Sequence, residues 1–182
     1  SCMFTNNWLH TKTLISDIGK AFPQKIIIAG GEHVSAIPEQ CLNDVLELDI
    51  VVIGEGEETI SVVLDTLKHK KDLYLIEGIC FRNSLGEIVT TKRRARIKNV
   101  EVVNWPSWHL FPLDKYEKHK LSYGVNRGIS LPIMATRGCP YECTFCSSPH
   151  MWGRQYYMRS PEDVVAEIKY MNDQFGANNF DF

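Results

Sequence analysis

Two short apolar runs organise the first third of the chain. Lys25-Ile26-Ile27-Ile28-Ala29 and Asp49-Ile50-Val51-Val52-Ile53 each close on glycine, at Gly30-Gly31 and at Gly54-Glu55-Gly56-Glu57. Runs of this length without polar alternation predict strands buried on both faces. Around them, apolar residues recur at spacings of three and four. Trp8, Thr11, Ile15, Ile18 and Phe22 predict a helix over 6–22, capped by Asn6 or Asn7 and ended by Pro23. Cys41, Leu42, Val45 and Leu46 predict the face of a second helix with Pro38 near its first turn, and Ile60, Val63, Leu64 and Leu67 the face of a third. Helix, strand, helix, strand, helix is the order of a parallel sheet covered by helices, an α/β class.

From Ile76 the period changes. Gly78-Ile79-Cys80-Phe81-Arg82, a turn through Asn83-Ser84-Leu85-Gly86, and Glu87-Ile88-Val89-Thr90-Thr91 predict an antiparallel hairpin. Lys92, Arg93, Arg94, Arg96 and Lys98 follow as a basic cluster, read as a solvated strand edge rather than a nucleic-acid footprint. Trp105-Pro106-Ser107-Trp108 and Pro112 form an irregular aromatic segment expected to pack between domains. Leu131 to Thr136 predicts a strand and Gly138 to Arg159 a long loop. A helix then starts at Ser160, with Pro161 in its first turn, Val164, Val165, Ile168 and Met171 on its buried face, and Gly176 at its end. The expected domains are 1–72, a connecting hairpin and linker over 73–130, and a strand, loop, helix, strand unit over 131–182.

Composition narrows the classes. A 182-residue chain with 44% hydrophobic and 23% charged residues is globular, and its net charge of −2 supplies no global attraction to nucleic acid or anionic lipid. No apolar run reaches the roughly 18 residues of a membrane helix and no signal peptide opens the chain, so the expected location is the cytoplasm. Both ends read as cut: Ser1 replaces an initiator methionine, and Asn179-Phe180-Asp181-Phe182 reads as a strand with nothing after it. The expectation is a fragment, inactive alone, whose last strand is an exposed edge.

Of six cysteines, Cys2, Cys41 and Cys80 are scattered in apolar surroundings and read as small buried hydrophobes. Cys139, Cys143 and Cys146 lie in one loop just after a strand, at spacings that suit three corners of a [4Fe-4S] cubane with no local fourth cysteine. The remaining iron would be open to the amino and carboxylate groups of a methionine moiety. The competing reading is a structural zinc site completed by His150.

At these cysteines, with Phe145 just before the last, the chain resembles the radical S-adenosylmethionine family. The resemblance implies that Phe145 lies beside the cofactor's adenine, unless it is a core aromatic, and that residues 131–182 open a partial (β/α) barrel. Thr136-Arg137-Gly138, Ser147-Ser148-Pro149 and Arg159-Ser160-Pro161-Glu162 are similar to the members carrying a cobalamin domain in front of the barrel. Ser1-Cys2-Met3, Gly30-Gly31 and Gly54-Glu55-Gly56-Glu57 resemble the second half of that Rossmann-like, flavodoxin-like domain. The implied cobalamin contacts are Ser1, Met3, Gly30, Gly31, Gly54, Glu55 and Gly56. The family's preceding aspartate, histidine and glycine motif is absent, and His33 is read as a surface or tail-contacting residue rather than a metal ligand.

What the family implies is methyl transfer to, or ring formation at, an unactivated carbon of a small-molecule substrate, with electrons from a donor such as flavodoxin or ferredoxin. A radical enzyme acting on transfer RNA and a non-catalytic zinc or cobalamin module are the alternatives. No catalytic residue is identified.

Overall fold

The computed structural model describes residues 4–120 and 128–182; Ser1, Cys2 and Met3, two of them expected cobalamin contacts, lie outside the described residues. The chain divides into two units, Ser1–Ile97 with Cys139–Arg154, and Lys98–Gly138 with Gln155–Phe182.

In the first unit α1 (Trp8–Ala21), β1 (Ile28–Ala29), α2 (Glu32–Ala36), α3 (Pro38–Asp44), β2 (Ile50–Val52) and α4 (Glu57–Lys68) lead into the hairpin β3 (Ile79–Arg82) and β4 (Ile88–Thr90). The sheet order is β1-β2-β3-β4. β1 and β2 are parallel, Ile28 opposite Ile50 and Ala29 opposite Val51, whereas β3 joins β2 antiparallel with Val51 opposite Cys80. The hairpin therefore continues the sheet, because Ile79, Cys80 and Phe81 are all apolar and all buried.

Strand periodicity sorts the core into two layers. Ala29, Val51 and Cys80 face Trp8, Ile15, Val34, Cys41 and Leu42 on one side. Ile50, Val52, Ile79 and Phe81 face Val63 and Ile76 on the other, with Ile60 and Leu67 against them. Each fully buried aliphatic side chain contributes roughly 1.5–3 kcal/mol, so the sheet is held from both faces.

The helical stripes are right in phase and too wide in extent. Ile18, Phe22, Leu46 and Leu64 are exposed, while Thr59 and Thr66 are buried on α4. Asn7 stands at the start of α1 without a side-chain capping bond. The helix expected with Pro38 in its first turn is α3, which ends at Asp44, before Val45 and Leu46; a further short helix, α2, precedes it and stops at Ile37, since the residue before proline avoids the helical conformation.

Beyond the hairpin run α5 (Leu113–Lys118), β5 (Ser130–Pro132), β6 (Thr136–Arg137), α6 (Ser148–Met151), β7 (Tyr157–Met158), α7 (Pro161–Phe175) and β8 (Asn179–Asp181). α6 belongs to the first unit and the others to the second. β5 and β8 pair in parallel, Leu131 opposite Phe180, so β5, α7 and β8 form one crossover. The strand expected over 131–136 is split, because its second half pairs elsewhere: Thr136 and Arg137 lie opposite Met158 and Tyr157.

Helix α7 follows its local signals. The Ser160 side chain accepts a bond from Asp163 N–H, Pro161 opens the helix, and Gly176 ends it at φ 67°. Val164 and Met171 are buried with Trp108, Leu131 and Ile133, while Val165 is exposed. Both indoles of the aromatic segment belong to this unit, Trp105 donating to Asp163 Oδ1 at 3.2 Å. Among the described residues no helix is long and apolar enough to cross a membrane.

Candidate functional site

The carboxyl ends of β1 and β2 open onto a cleft of about 610 Å³. Its floor is Ile28, Ala29 and Val52, and its rim is Gly30, Gly31, Glu32 and Gly54, Glu55, Gly56, Glu57 with Ile60. Open α/β sheets place ligands at this end of parallel strands, where neighbouring connections part. The four glycines differ in their reasons. Gly31 and Gly54 hold φ of 113° and 78°, which side chains with a Cβ rarely adopt. Gly30 and Gly56 hold no such angle, and a Cβ on either would meet only ordinary contacts with Val52. Nothing inside the protein requires glycine at these two positions; a methyl group there would occupy the cleft itself. That is the behaviour of a cradle for a large ligand approaching backbone, and it fits cobalamin.

Glu55 lines the cleft, but its carboxylate is turned inward. It is 9% exposed and accepts from Ile97 N–H at 2.8 Å, with Arg96 Nε at 3.7 Å. The basic cluster is largely spent on such partners: Lys92 pairs with Glu77, and Arg94 Nε donates to Thr59 Oγ1 at 2.9 Å.

The cleft has a further wall that the sequence reading did not foresee. Met151 and Trp152, at the end of α6 and just past the cysteines, line it beside the glycine turns. Arg93 Nη2 donates to Met151 O at 2.8 Å, the Arg96 guanidinium lies 5.9 Å from the centre of the Trp152 ring, and Ser147 Oγ donates to Glu32 Oε1. The only signals in the chain were an apolar Met-Trp pair inside a polar loop and a run of arginines without an evident partner.

The cysteine loop itself is less assembled. Cys139 and Cys146 are half-buried and Cys143 is exposed, with Cys146 N–H donating to Cys143 O at 3.0 Å. Among the described residues no set of three or more His, Cys, Asp or Glu side chains is drawn together to hold a metal. The donor set nonetheless fits an iron–sulfur cluster in its chemistry: three thiols in one loop, none of them sealed in the core. Cys41 and Cys80 contrast with them. Both are fully buried, and burial pushes the Cys80 thiol above its usual range. Phe145 is 91% exposed, which removes a core role for its ring.

His33, in the first turn of α2, is 6% exposed, packs 5.0 Å from the Trp8 ring and shares a 3.1 Å bond between Nδ1 and Thr5 Oγ1. It is a buried residue, not a surface one. Burial lowers its pKa below 6.5, against an opposing pull from Asp44, so it is neutral at pH 7. Well above pH 6.5 the folded and unfolded chains hold the same neutral ring. As pH falls below that value the unfolded chain takes up the proton first, and stability is lost at up to about 1.4 kcal/mol per pH unit. Urea unfolding between pH 7.5 and 5 is expected to show this slope, and His33→Gln to lose it; an unchanged slope in the variant assigns the titration elsewhere.

Comparison with known proteins agrees with this geometry. Residues 1–64 match the B12 binding domain family. That part of the chain is similar to a B12 binding domain, and a solved cobalamin-dependent S-adenosylmethionine radical enzyme shares the fold. An uncharacterized methyltransferase of Pyrococcus horikoshii is 30% identical over 179 residues, 98% of this chain and 37% of that protein. An anaerobic magnesium-protoporphyrin IX monomethyl ester cyclase of Cereibacter sphaeroides is 32% identical over 164 residues, 87% of this chain and 25% of the cyclase. The cobalamin-dependent S-adenosylmethionine radical enzyme OxsB, with aqua-cobalamin bound, shares the fold at a TM-score of 0.70 and 24% identity, over 96% of this chain and 23% of that one. The chain thus spans about a third or less of the length of these proteins.

Proposed function

We propose that this chain is the part of a radical S-adenosylmethionine enzyme in which cobalamin and an iron–sulfur cluster meet. Gly30, Gly31, Gly54 and Gly56 cradle the nucleotide tail of cobalamin, with Ser1, Met3 and Glu55 as further contacts. Cys139, Cys143 and Cys146 hold a [4Fe-4S] cluster, and Phe145 is free to lie against the adenine of S-adenosylmethionine. When bound, the cluster supplies the electron that cleaves S-adenosylmethionine, and cobalamin carries the transferable methyl group. The chain's own part is to hold the two groups, to keep backbone close to one and thiolates on the other, and to exclude water with Met151 and Trp152.

The observation that carries this reading is a cleft at the ends of β1 and β2 in which two glycines, Gly30 and Gly56, leave room that the protein does not use. The reaction of the whole protein is methyl transfer to an unactivated carbon of a small molecule, supported by the methyltransferase among the relatives, with ring formation as the other outcome, supported by the cyclase. The electron arrives from a flavodoxin- or ferredoxin-like donor.

The test is to purify and reconstitute the chain without oxygen, add hydroxocobalamin, and count iron, sulfide, cobalt and zinc together. Near-stoichiometric cobalt with about four irons per chain is expected. Zinc without iron overturns the cluster, and no retained cobalt overturns the cobalamin site.

A further inference from the structure

Residues 139–154, which carry the cysteines, cluster with the Rossmann-like unit rather than with the strands that flank them in sequence. We infer that Met151 and Trp152 are ligand-positioning residues of the cleft, and that Arg93 and Arg96 clasp them in place, so that filling the cleft orders the cysteine loop. This deepens the cobalamin reading and rests on it.

The argument starts from what the segment lacks. α6 is one turn long and has no core of its own, so its position must come from outside it. Two hydrogen bonds and a cation–π contact help supply that position: Ser147 to Glu32 beside the first glycine turn, Arg93 to the Met151 carbonyl, and Arg96 over the Trp152 ring. A main-chain carbonyl held by a guanidinium does not depend on the Met151 side chain, which is left to face the apolar floor of the cleft. Trp152 presents the largest apolar side chain on that wall, and a half-buried indole gains most by being covered.

The chain carrying these two residues is continuous with Cys146, five positions before Met151. A ligand that packs on Met151 and Trp152 therefore restrains the cysteine turn from one end. By linkage, an ordered turn favours the ligand to the same degree. The arginine run, which the sequence pattern reads as a solvated strand edge, becomes the fastening between the two functions.

Tyr141 and Phe145 are 72% and 91% exposed, so chymotrypsin has ready sites inside the cysteine loop. In the 182-residue chain, hydroxocobalamin is expected to slow nicking there several-fold. Trp152→Ala is expected to weaken hydroxocobalamin by about tenfold and to abolish the protection, with Trp152→Phe restoring most of both. Arg96→Gln, which leaves the cleft lining intact, is expected to speed nicking without cofactor and to weaken binding less than Trp152→Ala. Trp105→Phe, in the second unit, is the control and changes neither.

If the unaltered chain binds no hydroxocobalamin, the cobalamin reading falls and this inference with it. If the chain binds it, while Trp152→Ala and Arg96→Gln bind equally well and nicking ignores the cofactor, the inference alone is wrong. A melting curve for each variant identifies one that has failed to fold, and Arg96→Gln then decides.

Discussion

Replacing any one of Cys139, Cys143 and Cys146 by alanine is expected to strip the anaerobically reconstituted chain of most of its iron, from about four atoms to fewer than about one. Three thiolates are the fewest that hold three corners of a cubane, so two leave a second iron open and the cluster dissolves into solvent. Cys139, Cys143 and Cys146 are the only cysteines of this loop, so it offers no other thiolate. Cys41→Ala and Cys80→Ala are the matched controls. Both thiols are buried, and Thr90 Oγ1 donates to the Cys80 sulfur at 3.2 Å, so their loss costs packing and not iron. Iron lost equally from all five variants would mean that unfolding, rather than ligation, governs metal content. Iron retained in the three loop variants removes the cluster. A zinc-loaded chain that needs His150 as well as the three cysteines replaces it.

The second large effect is expected at Arg159. Its side chain is 6% exposed and donates from Nε to Asp163 Oδ2 at 2.6 Å, from Nη1 to Met134 O at 2.9 Å, and to Glu167, itself 2% exposed. It ties the end of β5 to two successive turns of α7, next to the point where the cysteine loop returns. Arg159→Ala leaves the Glu167 carboxylate buried without its cation, at a cost of about 3–5 kcal/mol to the second unit. Changing both partners to apolar residues of similar volume, Arg159→Met with Glu167→Leu, is expected to recover most of that loss, because it removes the stranded charge as well as the pair. Guanidinium unfolding followed by indole fluorescence reads both, Trp105 and Trp108 lying in the same unit. A single variant within about 1 kcal/mol of the parent would show the network to be solvated and of surface strength.

Several features were legible in the residues because their causes are local. The buried strands, the hairpin at Asn83-Ser84-Leu85-Gly86, the Ser160 cap with Pro161, and the left-handed Gly176 each depend on neighbours within a few positions. The positive-φ glycines Gly31 and Gly54 at the strand ends were legible for the same reason. The misreadings were of another kind. Ile18, Leu64 and Val165 hold the right helical phase and are exposed. Periodicity states which residues share a face and not how broadly a neighbouring element covers it. His33, whose sequence context reads as a surface or tail-contacting position, is buried because Thr5 and Trp8 from another stretch close over it.

The turns and helix caps were settled by the residues beside them, since a turn or a helix end is a matter of a few adjacent bonds. The destination of the cysteine segment is not of that kind. That Met151 and Trp152 form a wall of the cleft, that Arg93 and Arg96 reach across some sixty positions of chain to them, and that Arg159 and Glu167 share a buried charge all depend on which surfaces meet. Such meetings are settled by how apolar area and ionic partners are matched over the whole fold, and no short window of sequence contains both sides of the match.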